Sequence, residues 1–209
     1  MSVNIVQTGD SQDQTLPSPV FFRLTGTWRG GRAICSYSAR MIRSELKVLV
    51  RRAKASDSEA LAKVFAESWR QAYRGIIPHS HLESLIRRRG IQSWKEAVRT
   101  EGHLLVLEAA GVIAGYATCG AARRGGRRQG EIYELYLAPH YQGLGFGEYL
   151  FEGCRYQLDQ RRLNGLIVWA LTDNVIAEDF YRHRGGRPVA HSTERFGAVS
   201  LAKTGYGFD

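Results

Sequence analysis

A glycine-rich turn between a predicted strand and a predicted helix contains the residues of this sequence best suited to bind an anion. Gln142, Gly143, Gly145 and Gly147 follow a strand predicted over residues 131–138, where Ile, Tyr and Leu dominate. The first amides of a helix lack intrahelical partners, and the helix dipole adds partial positive charge beside them. Glycines let the backbone approach an anionic group closely. The turn therefore predicts a site for a phosphate-bearing ligand.

A second set of spaced residues follows an apolar, strand-like run over residues 165–171. Asn174 is a favoured helix cap, and Ala177, Phe180 and Tyr181 follow it at helical spacing. A tyrosine phenol has a pKa of ~10, which suits proton donation to a basic leaving group. The segment therefore predicts a helix that carries a candidate general acid.

Further elements position these two segments. The sequence predicts a first strand over residues 46–52, and then a helix with its apolar face at Leu61, Phe65 and Trp69. Residues 103–108 and 112–120 predict a hairpin, and β-structure is again predicted beyond Arg187. Strands and helices in this alternation predict an α/β fold.

The glycine spacing distinguishes between known phosphate-binding turns. No lysine followed by Ser or Thr closes it, as a nucleoside-triphosphate loop would require, and the glycine order is not that of the dinucleotide fingerprint. It fits Gln/Arg-x-x-Gly-x-Gly/Ala, with Gln142, Gly145 and Gly147 in the fixed places. Together with Asn-x-x-Ala-x-x-Phe-Tyr-x-x-x-Gly from Asn174 to Gly185, it resembles the GCN5-related N-acetyltransferases, the GNAT superfamily.

The resemblance implies a GNAT fold, a mixed and strongly twisted sheet of about six or seven strands flanked by helices. It implies an enzyme that moves an acetyl group from acetyl-CoA to a primary amine by direct attack in a ternary complex. We expect a small-molecule amine acceptor, because the sequence shows no long peptide-reading insertion. Two alternatives remain open: acetylation of a protein or peptide N-terminus or lysine, and a non-catalytic CoA-binding regulatory module.

The resemblance also assigns site residues. Those implied to contact acetyl-CoA are Leu135, Tyr136, Leu137, Gln142, Gly143, Leu144, Gly145, Phe146, Gly147, Asn174, Ala177 and Phe180. Tyr181 matches the tyrosine that protonates the departing thiolate. Trp69 and Tyr73 fall where relatives contact the acceptor, and His79 and His81 lie in the same wall.

The general base is left open between Glu131 and a chain of water molecules. Glu131 falls where the histone-acetylating branch of the family has its glutamate base. Strict strand alternation places Glu131 on the face of Leu135 and Leu137, and Glu134 on the opposite face.

Two residues depart from the family pattern. Leu144 occupies a place that is often basic, so we expect one phosphate contact to be missing. Gly186 replaces an aromatic or aliphatic residue, so we expect a looser turn after the last helix.

Composition sets the remaining expectations. The 209 residues carry a net charge of +9, which suits an anionic partner such as CoA. Residues 1–42 predict a flexible, basic extension, and residues 43–209 the catalytic domain. Three scattered cysteines disfavour a disulfide scaffold or a metal site and favour the cytoplasm.

Partners other than acetyl-CoA and the amine are less favoured. No apolar run is long enough to span a membrane. The arginine-rich loop over residues 123–128 has no interleaved aromatic residues, so we expect an exposed, mobile hairpin tip. Nucleic-acid binding through this loop and the N-terminal extension is left as a third, disfavoured alternative. Formation of a homodimer is left open.

Overall fold

The structure is a computed structural model that describes residues 47–100, 103–124 and 126–209. The predicted N-terminal extension over residues 1–42 lies outside the described residues, as does the beginning of the first predicted strand. In the described ranges the strands are β1 Val48–Arg52, β2 Leu104–Ala109, β3 Val112–Ala121, β4 Gly130–Leu137, β5 Leu166–Leu171, β6 Arg187–Phe196 and β7 Val199–Phe208. The α-helices are α1 Ser58–Tyr73, α2 His79–Arg88, α3 Ile91–Thr100, α4 Phe146–Gln160 and α5 Val175–His183.

The strands form one mixed sheet in the order β1-β2-β3-β4-β5-β7-β6. Neighbouring strands are antiparallel except for β4 and β5, which are parallel and joined by a crossover through α4. The predicted α/β architecture is confirmed. None of the described helices has the length and apolar character needed to cross a membrane.

Helices cover both faces of the sheet. On one face, α4 and α5 enclose a buried cluster that includes Leu150 and Tyr181. On the other, α1, α2 and α3 enclose a cluster that includes Phe65 and Trp94. We call these the α4 face and the α1 face. Burial of the two clusters fixes which side of each strand faces which set of helices.

An irregularity in β4 reverses the direction of its side chains. Thr118 of β3 pairs with Glu134, whereas the next residue, Cys119, pairs with Ile132, so Tyr133 is an extra residue in β4. Such a β-bulge bends the strand and shifts the alternation by one residue. The side chains before and after Tyr133 therefore do not follow simple alternation.

The two central parallel strands separate soon after they begin. β4 and β5 pair over three residues each. Gly130, Glu131 and Ile132 of β4 pair with residues 166–168 of β5. Beyond that point, in the described residues, no ladder joins the strands, so the edge of β4 that faces β5 is open. A gap thus forms through the middle of the sheet.

Candidate active site

A cavity of about 320 Å³ occupies this gap, and residues from both faces of the sheet line it. Its residues come from α1, β4, the glycine-rich turn, β5 and α5. They are Ser68, Gln71, Ala72, Tyr73, Tyr133, Glu134, Leu135, Tyr136, Leu137, Gln142, Gly143, Gly145, Gly147, Val168, Trp169, Ala170, Asn174, Ile176, Ala177, Phe180, Tyr181 and Arg184. Most of the residues predicted to contact a cofactor are therefore brought together.

The glycine-rich turn enters α4 in a conformation that favours glycine. Gly143 and Gly145 have φ angles of 73° and 78°, in the left-handed region. A Cβ atom at Gly147 would lie 2.7 Å from the Phe180 ring. The Gln142 side chain donates a hydrogen bond to a carbonyl at the end of β4, 3.0 Å away. The turn is thus a fixed cradle with the first amides of α4 at its base.

α5 supplies the opposite wall of the same half of the cavity. Asn174 caps this helix by accepting a hydrogen bond from the Ala177 amide at 3.2 Å. Arg184 lies over the Phe180 ring, 3.8 Å from its centroid. Its Nε atom is buried and, in the described part of the chain, has no hydrogen-bond partner. A buried guanidinium N–H without a partner favours an anionic ligand beside it.

Three tyrosines meet where the cavity passes through the sheet. The hydroxyls of Tyr73 and Tyr136 share a hydrogen bond of 2.6 Å. Burial raises the pKa of Tyr73 to about 12, although the bond to Tyr136 acts in the opposite direction. Burial, together with the nearby Tyr73, raises the pKa of Tyr181 well above its usual range. These phenols therefore stay protonated at neutral pH and act as hydrogen-bond donors.

Among the described residues, Glu134 is the one carboxylate that lines the cavity. Arg89 donates two hydrogen bonds to its oxygens, at 2.7 and 2.9 Å. The guanidinium of Arg89 also lies 4.2 Å from the centroid of the Trp94 ring, which belongs to the α1-face core. The negative charge of Glu134 is thus held in one orientation and partly balanced.

Glu131 has a different environment from the one that strand alternation predicts. Because Tyr133 is an extra residue, Glu131 and Glu134 point to the same α1 face, and the predicted placement of Glu131 with Leu135 and Leu137 is wrong. Glu131 is buried, does not line the cavity, and accepts hydrogen bonds from the backbone and guanidinium of the same arginine, Arg123. Both oxygens of Glu131 are therefore occupied by hydrogen bonds from Arg123.

Some other predicted residues lie behind the cavity wall. Trp69 packs 5.0 Å from the Tyr73 ring without lining the cavity, and the Phe146 side chain is fully buried in the α4-face core. Leu144 packs against that same core. His79 lines a separate hollow beside α2, and His81 packs against the β6–β7 turn.

Several lining residues were missed by sequence reasoning. Tyr133 lines the cavity because of the bulge, which has no glycine or proline to signal it. Glu134 could have been identified because it is an acidic residue within an otherwise apolar strand. Trp169 could have been placed on the face of β5 opposite to Val168 by strand alternation. Arg184 lies inside the recognised motif, directly before Gly185, but at one of its variable positions.

Comparisons with known proteins agree with this geometry. Residues 62–185 match the model of the acetyltransferase (GNAT) family. An uncharacterized N-acetyltransferase, YuaI of Bacillus subtilis (strain 168), is 31% identical over 163 residues, which cover 77% of this chain and 92% of that protein.

Solved structures show the same fold. The PaiA N-acetyltransferase from Thermoplasma acidophilum in complex with coenzyme A has a TM-score of 0.60 at 20% identity, and covers 75% of this chain and 98% of its own. YncA, a putative acetyltransferase from Salmonella typhimurium solved with its cofactor acetyl-CoA, has a TM-score of 0.56 at 20% identity, and covers 78% of this chain and 93% of its own.

Proposed function

The chain belongs to the acetyltransferase (GNAT) family, and from this we propose that it transfers an acetyl group from acetyl-CoA to the primary amine of a small molecule. The observation that carries the proposal is the cavity through the sheet. Its α4-face half is a backbone cradle suited to a phosphorylated donor. Its α1-face half presents a carboxylate and phenols suited to an amine. We call these the donor half and the acceptor half.

The donor half fits acetyl-CoA, which supplies an activated acetyl thioester when bound. The turn at Gly143 and Gly145 and the first amides of α4 would hold the diphosphate. The unpartnered Nε of Arg184 would add the positive charge that Leu144 does not provide. The open edge of β4 beyond Ile132 would bond the amide groups of the pantetheine arm, as a neighbouring strand would.

Tyr181 assists departure of the sulfur. Its hydroxyl faces the cavity from the donor half, and its raised pKa keeps the proton on oxygen until negative charge develops nearby. Full proton transfer to a thiolate of lower pKa would be uphill, so the phenol acts mainly as a hydrogen-bond donor to the developing charge.

The acceptor half binds and orients the amine. Glu134 attracts the ammonium form, and the hydroxyl of Tyr73 fixes its direction at the gap. Glu134 is already bonded to Arg89, so the proton of the ammonium passes to water and not to a free carboxylate. Glu131 is bonded to Arg123 and does not line the cavity, so a chain of water molecules is favoured over Glu131 as the general base.

A small acceptor fits the entrance on the α1 face. The turn between β6 and β7 lies against α2, where the His81 and Phe196 rings are 6.2 Å apart. A Cβ atom at Gly197 would lie only 3.2 Å from the His81 ring. This contact joins α2 to the edge of the sheet on the α1 face, and we take it as support for a small molecule over an extended peptide.

The test is release of free thiol from acetyl-CoA across a panel of primary amines and short peptides. We expect one class of small amine to drive release, and Tyr181→Phe to lower kcat by about 10²-fold. Tyr206→Phe is the matched control, since Tyr206 packs 5.8 Å from Tyr181 but lies outside the cavity lining. Binding of acetyl-CoA without thiol release by any amine or peptide would refute the proposal and favour a CoA-binding module.

A further inference from the structure

The arginine-rich loop after β3 is exposed, as the sequence predicts, but two of its arginines lie over aromatic rings of the sheet. Arg123 is held by Glu131, and its guanidinium lies 4.7 Å from the centroid of the Tyr133 ring. Arg124 lies over the Trp169 ring, 5.4 Å from its centroid. The loop is therefore folded back onto the α1 face of the sheet, beside the acceptor half.

The two aromatic residues beneath these arginines form the rim of the cavity. Ile132 and Val168 are the last paired residues of β4 and β5, so Tyr133 and Trp169 are the first residues on either side of the gap. Both line the cavity. On the α1 face, these two rings flank the gap, and Arg123 and Arg124 lie over them.

Arg124 differs from the other cations around this rim. Arg123 pairs with Glu131, Arg128 pairs with Asp209, and Lys203 pairs with Glu194. Among the described residues, no carboxylate forms an ion pair with Arg124, whose side chain is exposed. Lys203 adds a second positive charge over the same indole, 5.4 Å from its centroid. Within the described ranges, the rim therefore presents a guanidinium that no carboxylate neutralises.

We infer that Arg124 binds an oxyanion carried by the acceptor, so that the substrate is a small amine that also bears a carboxylate or a phosphate. This inference rests on the proposed function and specifies its acceptor. Glu134 and Arg124 lie on the same face of the sheet, one inside the cavity and one at its rim. An acceptor with an ammonium and an oxyanion matches both charges at once. The planar guanidinium suits either oxyanion.

Glu131 acts through this loop as a positioning residue. Its carboxylate accepts hydrogen bonds from the backbone N–H and the side chain of Arg123, both at 2.9 Å. These bonds fix the residue directly before Arg124 and so set the position of the guanidinium above Trp169. Glu131, which the sequence offered as a candidate general base, thus acts in acceptor recognition.

The experiment measures acetylation of amines in pairs that differ by one group, at constant ionic strength. Lysine is compared with 1,5-diaminopentane for the carboxylate, and phosphoethanolamine with ethanolamine for the phosphate. We expect the anionic member of at least one pair to have the higher kcat/KM, and the pair concerned identifies the oxyanion. Arg124→Gln should raise the KM for that amine about tenfold, the loss of one charge-assisted hydrogen bond, with kcat and the Kd for acetyl-CoA unchanged.

Two variants serve as controls. Arg127→Gln removes an exposed arginine of the same loop that does not line the cavity and should leave KM unchanged. Glu131→Gln should raise KM as Arg124→Gln does, without the change in the pH dependence of kcat that loss of a general base would cause.

Each outcome distinguishes the inference from the function on which it rests. Equal kcat/KM within every pair, or equal effects of Arg124→Gln and Arg127→Gln, would overturn the inference and leave the acetyltransferase proposal intact. Absence of thiol release with every amine would overturn both.

Discussion

The donor half and the acceptor half of the cavity are built in different ways. The donor half is built mainly from backbone: a turn with Gly143 and Gly145 at positive φ, the first amides of α4 and the open edge of β4. The acceptor half consists of side chains from separate elements, among them Tyr73 from α1, Glu134 from β4 and Trp169 from β5.

This difference explains how one fold can keep its donor and vary its acceptor. A backbone cradle recognises phosphates and amide groups whatever side chains surround it, so its requirement is mainly for glycine. The acceptor half depends on charges and hydroxyls that single substitutions can exchange. Changes to the cradle should therefore affect donor binding, and changes to the α1 face should affect packing and acceptor choice.

The largest effect is expected from filling the cradle. Gly143→Trp would place an indole in the open space before α4, and we expect acetyl-CoA to bind about a hundredfold more weakly, or about 2.8 kcal/mol. Gly111→Trp is the matched control, because Gly111 also has a positive φ and open space but lies in the β2–β3 hairpin. Calorimetry measures both. Equal affinities in the two variants would show that the donor half does not depend on this turn.

A second effect concerns the stability of the acceptor half at high pH. Burial raises the pKa of Tyr73 from 10.0 to about 12, so between these values the unfolded chain loses a proton that the folded chain keeps. The free energy of unfolding should therefore fall with rising pH, with about 2 kcal/mol due to this residue.

Denaturant unfolding between pH 9 and pH 12 measures this fall. Tyr73→Phe should show a shallower decrease than the native chain, whereas Tyr156→Phe, on the partly exposed side of α4, should follow the native curve. The same slope in all three proteins would mean that Tyr73 ionises as freely when folded as when unfolded.

The smallest effect tests whether side-chain pairs hold the acceptor half together. A double-mutant cycle with Arg89→Met and Glu134→Gln should give a coupling of about 1 kcal/mol, because the side chains are only 29% and 15% exposed. The same cycle on Arg99 and Glu96, which are 73% and 56% exposed, should give a clearly smaller coupling, because solvent screens an exposed pair. Equal couplings would remove the distinction between this pair and an ordinary surface pair.

The expectation of a looser turn after α5 is wrong, because Gly186 is closely packed. Gly186 was expected to loosen the turn after α5, yet the residue is buried and its N–H donates to the Tyr181 carbonyl oxygen at 3.0 Å. A Cβ atom there would lie 2.7 Å from the Phe208 ring. The glycine allows β7 to approach α5 closely, so it tightens the structure that holds Tyr181.

The sequence by itself determined the family, the α/β fold and the donor half. These depend on contiguous residues: the spacing of Gln142, Gly145 and Gly147, and the run from Asn174 to Tyr181. Glycines at a helix entrance specify a backbone shape, and in the proposed function that backbone holds the phosphates of the donor. Local order along the chain was therefore sufficient to predict this half of the cavity.

Only the tertiary structure decided the acceptor half. A bulge at Tyr133 placed Glu131 on the same face as Glu134, opposite to Leu135 and Leu137, and no residue type signals that bulge. The carboxylate that lines the cavity and the arginine at its rim reach it from different elements, through pairings between residues distant in sequence. Which side chains meet there depends on strand register and helix packing, and these are properties of the assembled sheet.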